Sequence, residues 1–267
     1  MKDYLLELVS SVDGENKKLN IMREYLQSYI LRILFERKFF DHSAFVGGTA
    51  LRFLYELPRF SQDLDFSLIK KDNFSFSEII EFLQTKLSSS GYKVNIKYSE
   101  KNVVYSAMAK FSQLLFEVGL SPLQDRNFSV KIEVDSNPPQ GARVEDKLIN
   151  KYFPLSFLSY DLSSLFAGKL HALLTRKYAK GRDFFDLGWY LSRWQDICPN
   201  LKLLSNALKQ TGWKADFPTE DNWRNFLYEV VDNTDWNLVK KDVETFLERR
   251  ADLEIFNKEN ILKLIKN

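Results

Sequence analysis

The spacing of apolar positions changes character along the chain. Residues 3–38 carry Leu and Ile at helical intervals, clearest in LNIMREYLQSYILRILFERKFF, and that spacing predicts helix. SAFVGGTALRFLYEL reads as a short strand, a tight glycine turn and a helix. DLDFSLI, residues 63–69, alternates polar and apolar, which is the period of a half-buried strand. FSFSEIIEFLQTKLSSSG is a helix ended by Gly91. YKVNIKYS, VVYSAMAKF, QLLFEV and FSVKIEV follow as strand-like runs, and SNPPQG, residues 136–141, is a turn cluster suited to a seam. From Asp161 onward the pattern is helical. DLSSLFAGKLHALLTR opens on an Asp that suits an N-cap, RDFFDLGWYLSRW follows a short basic loop, and three or four more helices are predicted up to Asn267. The fold class expected is α+β. An α/β domain with N-terminal helices occupies residues 1–150, and an all-helical domain occupies 151–267.

Composition narrows the function classes. At 267 residues the chain can bury an ample core, and its 22 Phe predict thick aromatic layers. The net charge of +2 excludes a generally basic nucleic-acid coat but leaves room for a local basic patch. Cys198 is the only cysteine, so neither an intramolecular disulfide nor a cysteine zinc site can form, which fits a reducing cytosol. No charge-free apolar run approaches the roughly 18 residues of a membrane span. The N-terminal MKDYLLELVSSVDGENKK has acidic residues in its apolar stretch and lacks a signal-peptide layout. A cytoplasmic protein with no membrane contact is expected.

The candidate chemistry starts at Asp63 and Asp65. On a strand both side chains leave the same face, about 7 Å apart, while Leu64 and Phe66 point into the core. Two such carboxylates repel unless a cation lies between them, and hard oxygen ligands suit magnesium. A solvated strand face is the plainer alternative. Gly47-Gly48-Thr49 precedes a helix whose first N–H groups can cradle phosphates, or it is an ordinary strand-to-helix turn. In KIEVD, residues 131–135, Lys131, Glu133 and Asp135 share one face. A third carboxylate there would complete a two-metal site or serve as general base. Lys169 falls inside the apolar stripe of Leu162, Leu165, Phe166 and Leu173, with His171 on the outer side. It must be paired, reach a ligand, or snorkel from the stripe's edge. Asp183 and Asp186 share a helix face, with Asp183 also placed to cap the helix. Arg176, Lys177, Lys180 and Arg182 form a basic cluster beside them.

The order of these elements carries more than any one of them. GGTALR (47–52), RFSQDLDF (59–66), KIEV (131–134), AGKLHALLTR (167–176) and RDFFDL (182–187) resemble the polymerase-β-type nucleotidyltransferases and, more closely, the AbiEii/AbiGii toxin family. The resemblance implies a nucleotidyltransferase-like mixed sheet with flanking helices, and a helical region completing the nucleotide pocket. It implies transfer of NMP from a nucleoside triphosphate to an RNA acceptor such as tRNA, with magnesium as two ions. It also implies a cognate antitoxin, as in abortive-infection systems. By position, Asp63, Asp65 and Glu133 would hold magnesium, with Asp135 on the same face as an alternative to Glu133. Gly48 and Thr49 would contact phosphates, Ser61 would position the nucleotide, and Lys169 would bind the triphosphate. Asp183 and Asp186 would form the helical wall, and Asp242 matches a late single Asp. Two departures touch triphosphate binding: Phe166 stands where the family commonly has Thr, and the interval from Arg176 to Arg182 is longer than usual.

Three rivals remain from the sequence. One is a nucleotidyltransferase acting on a small molecule. Another is a non-catalytic nucleotide- or RNA-binding module on the same fold, which the intact Ser-x-Asp-x-Asp argues against. The third, a glycosyltransferase using Asp-x-Asp, would place a Rossmann-like site ahead of that motif, and none is visible.

Overall fold

A computed structural model describes residues 1–266. Its elements in chain order are α1 (Lys2–Ser10), α2 (Glu15–Glu36), a 3-10 turn at Phe39–Asp41, β1 (Ser43–Val46), α3 (Gly47–Tyr55), β2 (Asp63–Leu68) and α4 (Phe76–Ser89). Next come β3 (Val94–Ser99), β4 (Val104–Phe111), α5 (Leu114–Glu117), β5 (Phe128–Asp135), β6 (Val144–Asn150) and β7 (Pro154–Tyr160). The chain finishes with α6 (Leu162–Thr175), α7 (Gly181–Arg193), α8 (Leu201–Gln210), α9 (Trp223–Asp232), α10 (Trp236–Glu244), α11 (Asp252–Ile255) and α12 (Lys258–Lys266). Two compact units result. The first holds residues 1–55, 60–138 and 146–159; the second holds 56–59, 139–145 and 160–267.

The first unit is built on a mixed seven-stranded sheet of order β3-β4-β5-β2-β1-β7-β6. β2 runs antiparallel to β1 and parallel to β5, and β1 runs parallel to β7. β2 and β5 form because their apolar residues alternate: Leu64, Phe66, Val130, Ile132 and Val134 are all buried, and the intervening polar side chains are half-buried. The expected aromatic layer is present, with Phe39 against Phe66 at 4.8 Å and Phe40 against Phe157 at 4.9 Å between ring centres. Helix α4 starts where the Ser75 hydroxyl accepts a hydrogen bond from the Glu78 N–H, and the chain turns at Gly91 with φ of +89°.

The second unit is helical from α6 onward. Asp161 caps α6, its Oδ1 accepting from the Ser164 N–H at 2.8 Å, and Asn200 caps α8 in the same way through the Leu203 N–H. Phe166 stacks on Tyr190 at 4.4 Å, joining α6 to α7. At Gly181, a Cβ would collide with the Val239 carbonyl oxygen, so the absence of a side chain lets α7 meet α10.

Three local expectations fail. QLLFEV is not a strand but contains the short helix α5. Leu114 and Leu115 are both buried while Phe116 is 44% exposed, and a strand would put the two leucines on opposite faces. β6 and β7 had no counterpart in the apolar pattern. β6 lies at the sheet edge with most side chains half or fully exposed, and β7 turns Ser159 inward, where its hydroxyl donates to the Phe45 carbonyl at 2.8 Å. Among the described residues the tail after α7 carries five helices, including the four-residue α11, rather than three or four. Among the described residues no helix is long and apolar enough to cross a membrane.

Candidate functional site

In the first unit, strand pairing puts the acidic residues on one face. Asp63 and Asp65 alternate with buried Leu64 and Phe66, and both are half-buried. The parallel register sets Asp63 beside Lys131 and Asp65 beside Glu133. Neighbouring strands are about 4.8 Å apart, so Asp63, Asp65, Lys131 and Glu133 emerge as one patch. Asp135 lies one step further along, beside Ser67. Its Oδ1 accepts from the Asn137 N–H at 2.9 Å, closing the turn after β5. Burial pushes the Asp135 carboxyl above its ordinary range, against the pull of that N–H and of Lys71. Of the two carboxylates that share a face of β5, Glu133 is therefore the one in register with Asp65.

The glycine turn belongs to the same patch. β1 ends with Val46 in register with Asp65, and Gly47 follows with φ of +78°. A Cβ on Gly47 would stand 3.0 Å from the Asp65 Cβ and strike its Oδ2, so the backbone approaches the carboxylate as closely as only glycine allows. Thr49 is fully buried and its hydroxyl donates to the Asp63 carbonyl, tying α3 to the start of β2. Gly48 and Thr49 are both buried in the first turn of α3, where backbone N–H groups have no intrahelical acceptor. Ser61 is half-buried in the loop before β2, and its carbonyl accepts from buried Gln27 at 3.2 Å. Arg52, from the same GGTALR segment, pairs inside the unit with Glu24, which also takes Lys151 at 3.0 Å and the Tyr152 hydroxyl at 3.2 Å.

Half-exposed oxygen donors on a rigid strand fit magnesium, which takes one or two carboxylates and completes its shell with water and phosphate. The Asp pair meets that requirement. Glu133 is turned instead toward Lys131, with Nζ to Oε1 at 2.7 Å. Accordingly, no three His, Cys, Asp or Glu side chains among the described residues gather closely enough to enclose a metal ion.

In the second unit the remaining candidates join a buried ion network. Lys169 is 12% exposed and reaches Asp186 Oδ2 at 2.7 Å and Asp183 Oδ1 at 3.3 Å. Arg59 grips Asp186 with two bonds of 2.6 Å, and Arg176 pairs with Asp183. Three cations thus face two carboxylates. Burial of Asp186 disfavours its charge, but Arg59 and Lys169 outweigh that and hold its carboxyl below the ordinary range. Lys169 is paired, one of the possibilities its place in the apolar stripe left open. Arg59 was not singled out from the sequence, although it stands in RFSQDLDF; an Arg beside Pro58 carries no periodicity that betrays burial. The Asp242 carboxylate accepts from the Arg182 N–H at 3.4 Å, at the start of α7. His171 faces Thr211 at 3.1 Å, and burial lowers its pKa with help from Arg176.

Comparisons with known proteins bear on this arrangement. The structure is similar to JHP933 from Helicobacter pylori, at 21% identity and a TM-score of 0.55, covering 91% of this chain and 89% of that one. It is also similar to a proposed nucleotidyltransferase from the same organism, at 20% identity and a TM-score of 0.51, covering 92% and 96%. These likenesses place the α+β fold with the nucleotidyltransferase-like folds. No curated protein matches the chain. The family model described as nucleotidyl transferase AbiEii toxin, type IV toxin–antitoxin system, matches residues 29–257. The chain is a member of the AbiEii nucleotidyltransferase toxin family.

Proposed function

We propose that the protein is a magnesium-dependent toxin that transfers NMP from a nucleoside triphosphate to an RNA acceptor, tRNA in particular, in the cytoplasm, and that a cognate antitoxin restrains it. The observation that carries this reading is the patch itself: Asp63 and Asp65 on one strand face, Glu133 in register with Asp65, and a glycine backbone pressed against the Asp65 carboxylate.

Asp63, Asp65 and Glu133 are the residues that would hold two magnesium ions. Those ions would activate the attacking hydroxyl and stabilise the charge of the leaving pyrophosphate. The chain's own part is positioning. The first-turn N–H groups at Gly48 and Thr49 donate to phosphate oxygens. Ser61 orients the nucleotide from the loop ahead of β2. Lys169 binds the triphosphate, and Asp183 and Asp186 fix its ammonium in place, so their role is to aim a cation.

The test incubates the protein with each labelled triphosphate, magnesium and total RNA. Label is expected in RNA with the wild type and is expected to fall by about a thousandfold in Asp63→Ala and Asp65→Ala. Label confined to a small molecule would replace the RNA reading with the metabolite one. Nucleotide binding with no turnover would identify a non-catalytic module, and an Asp63→Ala protein of full activity would remove the proposed site altogether.

A further inference from the structure

Within the second unit, α7, α11 and α12 line a cavity of about 180 Å3. Its walls are Phe185, Trp189, Ile255, Phe256, Ile261 and Leu264. Aromatic rings meet there edge to face, with Phe185 and Phe256 centred 5.4 Å apart at 71°. Gly188 also borders the space. A Cβ on it would strike the Ile261 Cδ1, so the glycine lets α7 and α12 approach and close that side.

A carboxylate stands among these apolar walls. Asp252, at the start of α11, lines the cavity and is 7% exposed. Its Oδ1 takes the Arg249 guanidinium at 2.9 Å, from a side chain that is itself 74% exposed. Its Oδ2 is buried and meets no hydrogen-bond donor among the described residues. The side-chain donors of Ser192 and Asn260, which also border the space, turn to the Trp189 and Ile255 carbonyls. A buried acceptor without a donor is costly, and a ligand that brings the donor recovers that cost on binding.

We propose that this cavity binds a small aromatic molecule of one or two rings that carries an N–H donor. The volume sets the size, since an apolar cavity of about 150 Å3 takes benzene. The walls set the class, because a flat apolar ring packs edge to face or offset against Phe185, Trp189 and Phe256. Asp252 Oδ2 sets the substituent. A carboxylate oxygen only accepts hydrogen bonds, so an anionic or acceptor group placed there would leave two acceptors facing each other. The inference is independent of the transfer reaction proposed above, since none of the residues assigned to that reaction borders the cavity.

The test titrates the full-length protein with aniline and with toluene, two rings of nearly equal shape, by calorimetry at neutral pH. Toluene is the more apolar, so a cavity without an acceptor prefers it. The wild type is expected to bind aniline about tenfold more tightly than toluene. Asp252→Leu should reverse that order. Leu264→Trp, which fills the cavity from a half-buried position on α12, should weaken both ligands by about tenfold or more. Equal binding of the two rings by the wild type, or a preference for toluene, would leave an apolar cavity only and overturn the donor requirement. Binding of neither ring would overturn the site. Aniline binding unchanged in both Asp252→Leu and Leu264→Trp would put the ligand elsewhere in the molecule and overturn it as well. The comparison of the two rings on the wild type decides the matter even where a substituted chain fails to fold.

Discussion

Two groups of aspartates in this chain live under opposite rules. Asp63 and Asp65, on β2, are half-exposed and share their face with Lys131 and Glu133. Asp183 and Asp186, on α7, are buried and outnumbered by Arg59, Lys169 and Arg176. The first group keeps contact with water, where a carboxylate stays well solvated. The second group is compensated inside the protein, where burying a charge is tolerable only when a partner is fixed against it. A motif of two acids a few residues apart therefore means nothing until the pairing of each acid is known.

The largest expected contrast is in stability. Asp186→Asn leaves Arg59 and Lys169 buried around a neutral amide and should lower the unfolding free energy by about 3–5 kcal/mol. Asp63→Asn/Asp65→Asn changes half-exposed groups and should shift the unfolding free energy by about 1 kcal/mol or less. A midpoint that fell equally in both would dissolve the distinction. Acid sharpens it further. The Asp186 carboxyl titrates below its reference value of 3.8 when folded. Its contribution is thus complete above that value and is lost as pH falls through the lower folded value. Between pH 5 and 2, on the order of the carboxylate range, the wild-type midpoint should fall more steeply than that of Asp186→Asn.

Gly47→Ala comes next, at about 2 kcal/mol, because it combines a left-handed backbone with a collision against Asp65. In an Asp65→Gly background the collision is gone, and only the backbone share, about 1 kcal/mol, should remain. Equal costs in the two backgrounds would show that the carboxylate does not press on the turn. The smallest effect is at the α6 cap. Asp161→Ala should cost about 1 kcal/mol by leaving the Ser164 N–H without its side-chain acceptor, measured as a small drop in urea midpoint. Despite burial, the Ser164 and Arg143 contacts hold the Asp161 carboxyl below its ordinary range, so this contribution too fades in acid.

Much of the architecture could be read from local chemistry. The period-two pattern of DLDF placed both aspartates on one face, the cap at Asp161 marked the start of α6, and a lysine inside an apolar stripe left pairing, a ligand or snorkelling open until the partner was visible. These are short-range effects, settled by which way successive side chains point and which backbone groups lack an acceptor. QLLFEV escaped because six residues with three adjacent apolar positions fit a strand as well as one helical turn, and burial of neighbouring leucines is a fact of packing.

The sequence by itself determined that two carboxylates leave one strand beside a glycine turn, because side-chain direction on a strand is fixed by the chain's own geometry. Only the tertiary structure decided that Glu133 rather than Asp135 stands beside Asp65, that Lys131 takes hold of it, and that Arg59 meets Asp186 across 127 positions of sequence. Strand register and long-range ion pairing depend on residues distant in the chain. They are set by which surfaces must leave water together.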